Sequence, residues 1–260
     1  MSVAEELNQA VRDYLRTATY PVAVKAQKGR CLPEGARRPL ESFGYPINIC
    51  QGITFARRYG WTLGYLKEDH ACGPALTVFG LVERPPFIED GSIVYPLYAA
   101  TPEAGARTQM ATPSVPFGAI GGITLAPLHK AAFDPDVVLI YGNPGQIARL
   151  IQGSLYERGG FVESRFMGRA ACGSEIITPL LRQECCVTIP GGGEKAFALT
   201  CDDEMVFSVP AREIPGLIQG LIRTHKAGAS RLPTPFYGVR MKPVFPKEYR
   251  DLQEYCGLES

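Results

Sequence analysis

The sequence predicts an α/β fold, a mixed sheet with flanking helices, and three observations carry that prediction. The first is a strand–turn–helix unit at 136–160. Asp136-Val137-Val138-Leu139-Ile140-Tyr141 reads as a buried strand, and Asn143 then caps a helix with Pro144 at its first position and Gln146 three residues after the cap. The second is the alternation of short apolar runs with segments of helical period, the pattern of α/β proteins. The third is size: 260 residues, 45% hydrophobic and 20% charged, suit one large domain without disulfide staples. A division into halves, about 1–118 and 119–260, is the alternative.

In chain order, Val3, Leu7, Val11 and Tyr14/Leu15 recur at helical spacing and predict an opening amphipathic helix. Tyr20–Lys25 reads as a strand. Lys28–Pro46, rich in Gly, Pro and Arg, reads as a surface loop. Ile49, Ile53 and Ala56 share one face of a helix stopped by Gly60, and Trp61–Leu66 follows as a strand. Cys72-Gly73-Pro74 begins another helix. Prolines break up residues 84–118, which read as a long loop that lids a site or forms an interface. In the 136–160 unit, Ile147, Leu150, Ile151 and Leu155 form one stripe that ends at Gly159-Gly160. Beyond it, Val162–Met167 reads as a strand and Ser174–Arg182 as a helix disturbed by Pro179. Cys185–Ile189 and Glu204–Val209 read as strands, with Pro190-Gly191-Gly192-Gly193 as a hairpin turn. A last helix starts at Pro215, and residues 231–260 read as an extended tail.

Charge excludes one class of function. With 27 basic and 26 acidic residues and no block of one sign, the chain carries no electrostatic footprint for nucleic acid. No apolar run reaches the roughly 20 residues of a membrane span. The start Met1-Ser2-Val3-Ala4-Glu5-Glu6 lacks a signal-peptide pattern. The expected compartment is therefore the cytoplasm, where eight cysteines are thiols and not disulfides.

Those cysteines are the chemically informative residues. Cys50-Gln51-Gly52, Ala71-Cys72-Gly73-Pro74 and Ala171-Cys172-Gly173-Ser174 each place a cysteine just ahead of a helical segment. There, free backbone amides favour the thiolate that ligates metal or attacks an electrophile. Cys31 and Cys256 read as small buried hydrophobes, the ordinary role of free cysteine. No Cys-x-x-Cys pair is present, so zinc-ribbon and thioredoxin signatures are absent. Dispersed cysteines still converge on a cluster if the fold brings them together. In the vicinal pair Cys185-Cys186 the sulfurs point to opposite sheet faces, so only one can join a site. A weak echo, Cys50…Cys72 against Cys172…Cys186, fits either an old duplication or chance. His70 reads as a solvated turn residue, Arg57-Arg58 and Arg165/Arg169 as solvated faces, and Asn143–Gln146 as ordinary capping.

Several of these segments carry a resemblance. Cys50-Gln51-Gly52 with Ala56-Arg57, His70-Ala71-Cys72-Gly73, the run Pro135–Gln146, Ala170-Ala171-Cys172 and Asp203-Glu204-Met205 together resemble the uncharacterised family known as domain of unknown function 169. The resemblance covers about residues 20–225 and implies a prokaryotic protein with recurrent cysteines at positions 50, 72 and 172. It implies no settled activity. Where a fourth family cysteine is expected, this chain has Pro190-Gly191-Gly192-Gly193-Glu194-Lys195.

These readings predict an iron–sulfur protein, of the 4Fe–4S type, with Cys50, Cys72, Cys172 and Cys186 as ligands and Cys186 the least secure. Its role would be redox or Lewis-acid chemistry, as an oxidoreductase or a lyase. Expected partners are a small-molecule substrate or an electron-transfer protein, with a homo-oligomer allowed. The rival reading is a metal-free small-molecule-binding module whose cysteines are structural.

Overall fold

Strand-forming runs from both halves of the chain meet in a single sheet. The structure is a computed structural model that describes residues 2–229, 231–232 and 245–258. Its elements in chain order are α1 (Val3–Tyr14), β1 (Val22–Gln27), α2 (Pro39–Phe43), α3 (Ile49–Tyr59), β2 (Leu63–Tyr65), α4 (Gly73–Val78), α5 (Pro86–Glu89), α6 (Pro102–Ala111), β3 (Gly122–Pro127), β4 (Val137–Gly142), α7 (Pro144–Leu155), α8 (Thr178–Arg182), β5 (Cys186–Thr188), α9 (Gly192–Phe197), β6 (Met205–Pro210), α10 (Ile214–Lys226) and α11 (Lys247–Tyr255). The mixed α/β class is as the sequence predicts.

The strand order is β2-β3-β1-β4-β6-β5, and every pairing is antiparallel. β3 lies between β2 and β1, so strands from either side of residue 118 interlace in one sheet. β3 itself has no counterpart in the sequence reading. Its six residues are all buried, and Thr124 lacks the polar-out alternation that marks a half-exposed strand.

Period-two alternation sends successive residues to opposite faces. Val22, Val24, Val137, Leu139 and Tyr141 join one core, with Ile49, Ile53 and Phe79. Ala23, Val138, Ile140, Phe207 and Val209 join the other, with Leu7, Leu150 and Leu221 from α1, α7 and α10. The second face is tightly closed. At Gly220 of α10 a side-chain carbon would run into the backbone of Gly153 on α7, so these helices touch backbone to backbone.

Local chemistry explains where the helices begin. Ser2 and Glu5 form a reciprocal cap on α1, and Asn143 and Gln146 do the same on α7. Within 84–118, expected as loop, Thr101 caps α6 with Pro102 in its first turn. Those prolines start helices, because a missing N–H costs nothing in a first turn.

Four further segments differ from expectation. Val162–Met167 is irregular, not a strand. Gly191–Gly193 does not turn a hairpin but opens α9, with the Gly191 amide donating to the Glu194 carboxylate at 3.0 Å. Cys31 and Cys256 are exposed, not buried. Of the extended tail expected over 231–260, residues 233–244 and 259–260 lie outside the described residues, and within the described part Lys247–Tyr255 is helical. No helix among the described residues is long and apolar enough to cross a membrane.

Candidate functional site

One cavity, of about 220 Å³, opens where α3, α4, α9 and the segment at 169–175 meet above the sheet. Cys50, Cys72 and Cys172 all line it, joined by Glu175, Glu194 and Arg169.

Each cysteine is set in place by its neighbours. Cys50 is the second residue of α3, whose start is fixed by the Asn48 amide donating to Gln51 Oε1 at 2.8 Å. Gly52 is required beside it: Tyr65 packs so close that a side-chain carbon would collide with the ring, and the Tyr65 hydroxyl donates to the Asn48 carbonyl at 3.2 Å. The tripeptide Cys50-Gln51-Gly52 thus supplies a sulfur, a cap and a space. Cys72 precedes the first residue of α4. The turn that leads to it is anchored by fully buried Asp69, which accepts from the Leu66 and Leu40 amides and from Arg38 Nε. Cys172 precedes a five-residue π-helix, Gly173–Ile177, that continues into α8. Such wide turns gather at functional sites. Ala170, just upstream, holds a left-handed backbone with φ of 50°, a strained conformation for a residue with a side chain.

Cys186 is not brought to this cavity. The two sulfurs of the vicinal pair do part: Cys185 joins the core under α7 and α10, and Cys186 takes the cysteine-bearing face. There Cys186 Sγ donates to the Ser174 carbonyl at 3.4 Å and lines a neighbouring hollow of about 500 Å³. Strand alternation fixed its face but not its lateral position in the sheet. The fourth side of the cysteine cavity is formed by Gly191–Gly193. The Gly193 carbonyl lies 4.0 Å from Cys50 Sγ, and added side-chain carbons at Gly192 and Gly193 would meet open space.

Three residues that the sequence reading did not single out, Glu175, Tyr141 and Glu194, complete the site together with Arg57, which it read as part of a solvated face. Glu175 is wholly buried, with one carboxyl oxygen, Oε1, lacking any partner. Tyr141, at the end of β4, places its hydroxyl 2.9 Å from Glu194 Oε1 and 3.3 Å from Glu175 Oε2. A phenol has one proton to give, so both contacts are hydrogen bonds only when one carboxyl is protonated and donates back. Burial, followed by the mutual repulsion of the two acids, pushes Glu175 well above the carboxylate range, and burial also raises Glu194. Arg57 lies 4.1 Å over the Tyr141 ring and grips Glu204 with two hydrogen bonds, 2.6 and 3.1 Å. It is almost fully buried, not on a solvated face. Glu175 and Arg57 carry a faint sequence signal, as charges set among apolar neighbours in a helix. Tyr141 and Glu194 carry none.

His70 is buried between Tyr65 and Phe79 with neither ring nitrogen bonded, not solvated as expected. Desolvation lowers it to about 4, so it is neutral. Arg169 lines the cavity, bonds Gln109 and lies 5.3 Å over the Tyr98 ring. Arg165 is exposed.

Desolvation, then the charges of Glu194 and Cys72, pushes Cys50 up to about 12, and burial followed by Cys72 raises Cys172 well above the thiol range. Among the described residues no three His, Cys, Asp or Glu side chains are grouped closely enough to hold one metal ion. Ligands to a cluster are spread more widely, since each binds a different iron atom.

A sheet with three cysteines and a buried acid pair gathered on one face is the setting into which the comparisons fit. The DUF169 family profile, described as Uncharacterised ArCR, matches residues 10–220, and the chain belongs to that family. An uncharacterized protein, MJ0308 of Methanocaldococcus jannaschii, is 26% identical over 204 residues, which cover 77% of this chain and 85% of that protein. No solved structure matches the chain.

Proposed function

We propose that the protein binds an iron–sulfur cluster of the 4Fe–4S type through Cys50, Cys72 and Cys172, and acts on a small molecule at the corner left without a cysteine. The observation that carries this is the meeting of three cysteines, from three distant segments, at one small cavity. Soft thiolates suit iron–sulfur clusters, and these three stand at helix starts whose amides favour negative charge on sulfur. Glu175 Oε1, buried without a hydrogen-bond partner in a residue of the cavity lining, is a further group that a bound cation would satisfy. A bound cation reverses the local balance that otherwise raises the Cys50 and Cys172 thiols. When bound, such a cluster supplies electron transfer or, at an iron without a protein ligand, Lewis-acid polarisation of a substrate oxygen.

Cys186 is left out of the ligand set, because its sulfur is engaged with Ser174. Glycines 191–193 then form the wall at which a substrate would approach. The setting we assign is the cytoplasm, supported by eight cysteines that are all unpaired.

The alternative, a metal-free pocket for a small molecule, is favoured by one observation: the raised thiols of Cys50 and Cys172 are what an empty cavity of buried SH groups would show. Reconstitution with iron and sulfide under nitrogen separates the two. We expect a brown protein whose visible absorption is lost in Cys50→Ala, Cys72→Ala and Cys172→Ala but kept in Cys186→Ala. Equal loss in Cys186→Ala, or colour indifferent to all four changes, contradicts the assignment.

A further inference from the structure

A larger cavity lies apart from the cysteine site. A groove of about 720 Å³ runs between the C-terminal end of α1, residues 16–21, the last turns of α3 and the turn at 128–130. Its lining carries Arg12, Arg16, Arg58 and His129 and includes no acidic residue. Arg12 and Arg16 make no ion pair among the described residues, and Arg58 reaches Glu204 only at 3.5 Å. Arg12 and Arg16 are thus like charges without counter-ions among the described residues, an arrangement that costs free energy unless something anionic joins them. Burial, and then the nearby charges of Lys130 and Arg12, lowers His129, which is consistent with that crowding.

Two further observations turn the groove from a charged surface into a shaped site. The loop is held rigidly. Arg16 adopts a left-handed backbone, φ 54°, while Gln146 Nε2 donates to the carbonyls of Leu15 and Arg16 at 3.0 and 3.2 Å. The Asn143–Gln146 cap of α7 therefore also braces the arginine loop. Beside the cations, Tyr20 is half exposed and packs on His129 at 4.5 Å, offering a flat aromatic edge.

We propose that this groove binds a nucleotide, with Arg12, Arg16 and Arg58 on the phosphates and the Tyr20–His129 pair against the base. Guanidinium forks match phosphate oxygens. The groove has the volume of sites that hold ligands of this size. An inorganic anion would leave most of it empty. The inference does not depend on a cluster being present at the cysteine cavity, and it is tested on the full chain with or without iron.

The experiment is titration calorimetry with ADP, pyrophosphate and adenosine against the wild type, the double variant R12Q/R16Q and Y20A. Arg12, Arg16 and Tyr20 are exposed, and circular dichroism checks that each variant stays folded. We expect ADP to bind at one site and to weaken by about tenfold or more in R12Q/R16Q. Y20A should weaken ADP and leave pyrophosphate unchanged. Pyrophosphate binding as tightly as ADP and indifferent to Y20A overturns the nucleotide assignment. ADP binding that ignores R12Q/R16Q, or no binding of ADP at millimolar concentration, overturns the site.

Discussion

On the face of the sheet covered by α1, α7 and α10, the core is aliphatic side chains with Phe207 and the single thiol of Cys185, and the helices meet as closely as Gly153 and Gly220 allow. Among the described residues its one wholly buried charge, Arg149, spans from α7 to bond Thr224 and the Leu221 carbonyl of α10. On the other face, short helices, a π-helix and a strained Ala170 set three thiols and two carboxyls around one cavity, with the Tyr141 phenol bonded to both acids and the Arg57 guanidinium over its ring. Buried polar groups are costly unless satisfied. The first face has the makeup of a scaffold, and the second keeps expensive groups that a scaffold does not need. That asymmetry is the physical reason to seek function on the cysteine side.

The largest effect should come from breaking the polar network where it is deepest. Arg57→Ala removes the cation over Tyr141 and leaves Glu204 with the Cys201 amide and a 3.5 Å contact to Arg58, so we expect a loss of about 3–5 kcal/mol by urea denaturation, together with loss of cluster colour. Loss of stability below about 1 kcal/mol would mean that the network is not structural.

Leu150→Ala tests the other side of the comparison. The residue is fully buried on the apolar face, and truncation should cost about 2–5 kcal/mol. Here the reconstituted visible spectrum should be unchanged in the folded variant. A changed spectrum would show that the two faces are not independent.

The smallest effect is a pH dependence. Burial tends to raise Glu204, but hydrogen bonds from Arg57 and the Cys201 amide outweigh it and hold the carboxyl below its ordinary value. A depressed acid contributes stability that is complete above its unfolded pKa and is lost as pH falls through the folded one. Urea midpoints of the wild type should therefore decline below about pH 4.5 more steeply than those of Glu204→Gln. Parallel curves would remove Glu204 from the stabilising network.

The contrast between faces also governs what the sequence reveals. α1 and α7 can be read because their signals are local: a stripe of apolar residues within each helix and, for α7, the Asn143/Gln146 cap. The nomination of Cys50, Cys72 and Cys172 is likewise local, resting on a cysteine before a helix start. What completes the cavity is not local. Glu175 and Glu194 meet only because the π-turn and the Gly191 cap bring them to Tyr141 on a third element. Cys186 marks the limit from the other direction, since alternation predicts its face while its distance along the sheet depends on the strand order β4-β6-β5.

The most direct test of the central claim is the iron and acid-labile sulfide content of protein purified without oxygen, measured beside its electron paramagnetic resonance after dithionite reduction. The account predicts about four irons and four sulfides per chain and a reduced-cluster signal. A folded, colourless protein that contains no iron as isolated and takes up none on reconstitution would contradict it.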